Sequence, residues 1–76
     1  MKQSTIEVRM SADAALVLFD WLARFNSSQA RVFEDSAEER VLFDMEADLE
    51  KQLVPVLESD YDAALAGARD RVRYKP

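Results

Sequence analysis

One glycine, Gly67, and two prolines, Pro55 and Pro76, are the only strong backbone punctuation in 76 residues. A many-stranded sheet needs tight turns, and tight turns draw heavily on glycine and proline. So small a supply predicts a mostly helical fold. The length allows a single domain, 1–76, near the small end of what one core can hold together. With no cysteine and no histidine in the chain, neither a disulfide nor a zinc site is expected to help. Stability must come from packing, and the 49% apolar content is that of an ordinary globular domain.

The expected order is β-α-α-α. "TIEVRM" alternates, with Ile6, Val8 and Met10 on one side and Thr5, Glu7 and Arg9 on the other, the pattern of a half-buried N-terminal strand. A lone strand cannot satisfy its ladder. Its partner is either a second short strand near residues 31–33 or residues 4–10 of another copy. Ser11 reads as the N-cap of a first helix reaching about Phe25. That helix is apolar around most of its girth: Ala14, Leu18, Trp21, Leu22 and Phe25 form one face, and Leu16, Phe19 and Ala23 a second. Only Asp13, Asp20 and Arg24 interrupt it, which predicts a central element.

Ser36 with Glu39, or Asp35 with Glu38, can box the start of a second helix reaching about Leu53. Its expected core face is Leu42, Met45, Leu49 and Leu53, with Val41 at the edge. Phe33, just before the cap, is expected to fix the chain's entry by packing on the first turns. Pro55 ends or bends this helix. Ser59 or Asp60 caps a third, with Tyr61, Leu65, Ala68 and Val72 inward.

Charge is unevenly spread. The formal net charge is −5, yet residues 34–50 hold eight acids against one base, Arg40, a net of −7 that leaves +2 for the rest. Arg69, Arg71, Arg73 and Lys75 make a basic tail, read first as cations complementing a helix C-terminus. An acidic chain is repelled by phosphate backbones, so nucleic acid is disfavoured as a partner and a protein with a basic surface is favoured. Glu34, Asp35, Glu38 and Glu39 suit a helix N-terminus. Asp44, Glu46, Asp48 and Glu50 have no such local reason. Phe43 lies off the core stripe beside Glu39, Glu46 and Glu50, an apolar anchor with an acidic rim. Two readings stand open for this stripe: a solvated face, or a partner-binding surface made by Glu39, Phe43, Glu46 and Glu50.

Reactive chemistry is sparse. Acid–base catalysis would fall to carboxylates, lysine or tyrosine, and none sits in a recognisable catalytic pattern. "ESDYDAALAGAR" begins like a calcium loop but has Ala63 at the obligatory glycine and Arg69 at the closing glutamate. No enzymatic activity, cofactor or metal is expected. The start of the chain lacks a signal-peptide core, the longest apolar run is too short to span a bilayer, and a cytoplasmic location is the expectation, with Asn26-Ser27-Ser28 a turn rather than a glycosylation site. Function is then read as protein binding. An acidic inhibitor of the immunity, antitoxin or anti-defence type comes first. The alternatives are a dimeric regulator built like a ribbon-helix-helix protein, and an accessory subunit or homodimer using Leu16, Phe19 and Ala23.

The pair "SADAALVLFDWLARFN" and "FEDSAEERVLFDMEADLE" resembles small uncharacterised bacterial proteins that carry a similar apolar first helix and a Phe-Glu-Asp-x-Ala-Glu segment. The resemblance covers about residues 6–50. It implies a bacterial or phage cytosolic origin and assigns no residue a role.

Overall fold

The computed structural model describes residues 4–29 and 32–74. Among them lie four helices: α1 (Ala12–Ser27), α2 (Ser36–Gln52), α3 (Val54–Leu57) and α4 (Tyr61–Arg73). The helical class stands. The N-terminal strand does not: residues 4–10 carry no regular structure, and Ile6, Val8 and Met10 are 84%, 77% and 43% exposed. The cause is the missing ladder. No other described segment is extended and free to pair, so alternation alone cannot make a strand. The second strand expected near 31–33 falls partly outside the described residues, and Val32 and Phe33 have no regular structure.

Helix α1 begins where the sequence indicates. Ser11 is extended and its hydroxyl oxygen accepts from the Ala14 N–H at 3.0 Å, satisfying one of the orphan donors of the first turn. The helix ends as Ser28 N–H donates to Phe25 O at 3.0 Å. Its core stripe is Leu16, Phe19, Leu22 and Asn26, with Leu22 wholly enclosed. Of the first expected face, only Leu22 is buried. Because Leu16 and Phe19 fill the chain's own core, they are not available as a dimer face, which corrects that expectation.

Helix α2 is capped in the Asp35 register. The Asp35 carboxylate accepts from Ala37 N–H at 2.7 Å, and Glu38 reaches back to accept from Glu34 N–H at 2.9 Å. Leu49 and Leu53 reach the core and Leu42 packs against it, while Met45 is mostly outside. The break falls at Leu53, one residue before the short α3 that carries Pro55 in its first turn, where proline's missing N–H costs nothing. Asp60 caps α4 by accepting from Ala63 N–H at 3.3 Å. Leu65 and Ala68 are buried against α1, and Val72 is not. Helices α2 and α4 thus flank α1 and are joined through α3.

Candidate protein-docking site

Where the charges end up decides which surface is acidic. On α4, Arg71 donates to both oxygens of Asp13, at 2.7 and 3.0 Å, and Arg69 donates to Asp20 at 3.2 Å. Arg73 pairs with Asp70 at 2.9 Å. Arg69 and Arg71 therefore clamp α4 to α1, while Arg71 and Arg73 also lie in the last turn of α4 where cations complement the helix dipole; Lys75 lies outside the described residues. Asp20 also accepts from Arg24 at 2.9 Å and from the Tyr61 hydroxyl at 2.8 Å. Burial pushes the Asp20 carboxyl up, but the hydrogen bonds from Tyr61 and Arg24 and the charge of Arg69 outweigh it and hold the group below its ordinary value. Burial and the neighbouring Asp20 carboxylate raise Tyr61 to about 12.

These pairs neutralise the acids of α1. Helix α2 keeps six acids against Arg40 and Lys51, with Glu34 and Asp35 immediately before it. Arg40 is held by Asp44 at 3.1 Å. The unbalanced negative charge is concentrated on one helix.

The proposed residues of that helix sit together on one flank, as their spacing predicts. They are not equivalent. Glu46 is half-buried and accepts from Asn26 Nδ2 at 2.7 Å, the same amide lying 3.4 Å from Leu42 O, so this carboxylate ties α2 to the end of α1. Glu39 is half-buried. Phe43 is 42% exposed and Glu50 is fully outside.

The other flank of α2 holds a feature the sequence did not reveal. Phe25, Val32, Phe33, Ala37, Glu38, Val41 and Leu42 line an open apolar groove of about 470 Å³. Two of its lining residues belong to an aromatic run: Phe25 meets Phe33 edge-on at 5.7 Å and 89°, and Trp21 stacks on Phe25 with ring centres 4.9 Å apart and planes at 12°. Phe33 shares the groove lining with Ala37 and Glu38 of the first turns of α2, and its ring contact is with Phe25 of α1. Glu38 gives the groove a carboxylate near the N-terminus of α2, and Glu34 and Asp35 precede that helix in the chain. In the sequence, Val41 reads as the edge of the α2 core face and Phe33 as an apolar residue just before the cap. Their meeting with Phe25 depends on how the 28–35 connection folds back, which no local pattern encodes.

A second depression of about 360 Å³ lies between α1, α3 and α4. Asp13 and Arg71 face each other in it and cancel, so it presents no net charge. Among the described residues, no cluster of three or more Asp or Glu could hold a metal ion, and no helix is long and apolar enough to cross a membrane. No family model matches the chain, and neither a curated protein nor a solved structure shows significant similarity to it.

Proposed function

We propose that this protein is a small acidic binding module that covers a basic site on a partner protein, acting as an inhibitor by occupancy. The observation that carries the reading is the groove between α1 and α2, an apolar floor of Phe25, Phe33, Val41 and Leu42 with the Glu38 carboxylate in its lining, on the helix where the unbalanced acids are concentrated. Such a site suits a segment that pairs one large apolar side chain with flanking lysine or arginine. Burial of the apolar residue supplies affinity, on the order of 1.5–3 kcal/mol for one side chain. Charge complementarity supplies steering and discrimination. Glu39, Phe43, Glu46 and Glu50 form a second strip on the opposite flank that a partner wrapping α2 would meet, with Phe43 and Glu50 its exposed members and Glu46 held by Asn26. Cytoplasmic residence and a bacterial or phage origin belong to the same reading.

Selection from a random peptide library on the immobilised chain tests it. The enriched sequences should combine basic residues with a single aliphatic or aromatic anchor. Their binding should weaken with salt, because exposed charge pairs are screened. Val41→Lys puts a cation into the groove from an exposed position and should abolish binding with the fold intact. Enrichment of acidic or uncharged sequences, or binding indifferent to Val41→Lys, contradicts the proposal.

A further inference from the structure

Among the described residues, two adjoining apolar surfaces remain wholly or partly exposed. The first is the segment 4–10, whose apolar side chains face outward and whose backbone makes no recorded hydrogen bond to the rest of the described chain. The second is the outward face of α1. Helices α2 and α4 cover its other sides, but Ala14, Val17, Leu18 and Trp21, at i, i+3, i+4 and i+7, carry no charge and are not fully covered. Trp21, the chain's sole tryptophan, is 45% exposed. Ser11 joins the two directly.

From this we infer that residues 4–10 of two copies pair as an antiparallel ribbon whose apolar side lies on the outward faces of the two α1 helices. The sequence selects the register. In a two-fold antiparallel pair, directly opposite residues share a face. Centring the axis on Val8 places Ile6 opposite Met10 of the second copy, Val8 opposite Val8, and Glu7 opposite Arg9, with both contacts made twice by symmetry. Centring on Glu7 or Arg9 brings like charges directly together, which is destabilising. Any odd register sets apolar residues against polar ones. Only the Val8 register satisfies both faces at once. A bare two-stranded ribbon is marginal in water, so the partly exposed apolar stripe of α1, with Trp21 its most exposed member, is the support it requires. Glu7 and Arg9 make no ion pair within the described chain, leaving both for the second copy. The outer face then presents matched charges, with no basic stripe for a nucleic-acid groove.

This surface is separate from the groove, and its test does not depend on any peptide. Sedimentation equilibrium is run on the wild type, Glu7→Arg, Arg9→Glu and the double exchange Glu7→Arg/Arg9→Glu, with helical content followed by circular dichroism. The wild type should be a dimer at high micromolar concentration. Each single variant inverts two cross-strand pairs and should weaken association roughly tenfold. The double exchange restores opposite charges and should recover wild-type association. Trp21 emission should shift to the red on dilution as α1 is uncovered. A monomeric wild type overturns the inference. So does a dimer indifferent to the single exchanges, or a double exchange no better than the singles. Both positions are exposed and precede α1, so loss of helical content is not expected from any variant.

Discussion

Tyr61, the first residue of α4, donates its hydroxyl hydrogen to Asp20 Oδ1 at 2.8 Å across a separation of 41 residues. Asp20 sits in the middle of α1 with its side chain only 14% exposed, and Arg24 and Arg69 complete its shell. One carboxylate therefore organises the junction of the two helices, and a half-buried acid at this point is tolerable because it is paired on several sides.

Tyr61→Phe removes a hydrogen bond to a charged group and leaves the ring in place. Such bonds contribute roughly 1.5–3 kcal/mol. The lower end applies, because the two arginines remain. The variant should melt roughly 6–12 °C below the wild type by circular dichroism.

The same pair sets pH limits at both ends. Asp20 is lowered in the fold, so its contribution is present above the ordinary carboxylate value of 3.8 and is lost as pH falls through the folded value. Tyr61 is raised from 10.0 to about 12, so its contribution is complete below pH 10 and lost as pH rises from there to about 12. The difference in ultraviolet titration between wild type and Tyr61→Phe should show one phenol ionising near 12. A component near 10 contradicts the burial argument.

Gly67 lies in the body of α4 without a left-handed backbone. A Cβ there meets only the guanidinium end of Arg71, at 3.2 Å. That group is a flexible, largely exposed tip, so it can shift. Gly67→Ala should gain about 0.5–1 kcal/mol from lowered chain entropy, read as a higher denaturation midpoint in urea. The gain should be larger in an Arg71→Ala background, where nothing has to move.

Phe33→Ala removes the edge-on contact with Phe25 and opens the groove wall. It should cost about 1–2 kcal/mol from the lost ring contact and apolar burial. It should also weaken any peptide that Val41→Lys weakens, beyond what the stability loss explains. A wild-type melting curve sinks the packing role given to Phe33.

The caps were legible because capping is local. Ser11, Asp35 and Asp60 each sit one residue before their helix, and the Asp35/Glu38 register was one of two visible boxes. The helical faces were legible in part. Leu49, Leu53, Leu65 and Ala68 lie where period 3.6 puts them, whereas α1 is apolar on so many sides that its sequence could not choose between Leu16/Phe19 and Leu18/Trp21. The strand failed because a ladder is a property of two segments. The arginines of α4 were legible only in part for the same kind of reason: Arg71 and Arg73 do lie in the last turn, but Arg71 and Asp13 are separated by 58 residues, and no spacing rule reaches that far. The groove shares this origin, being built from the end of α1, a connection and one flank of α2.

Binding by this protein, as proposed, depends on α2 presenting anionic charge beside an apolar seat. Mapping amide chemical shifts of the labelled chain while a library-selected basic peptide is added tests this most directly. The predicted result is a cluster of shifts at Phe33, Ala37, Glu38, Val41 and Leu42 that vanishes in Val41→Lys. Shifts confined to α4, or spread unchanged in that variant, would contradict it.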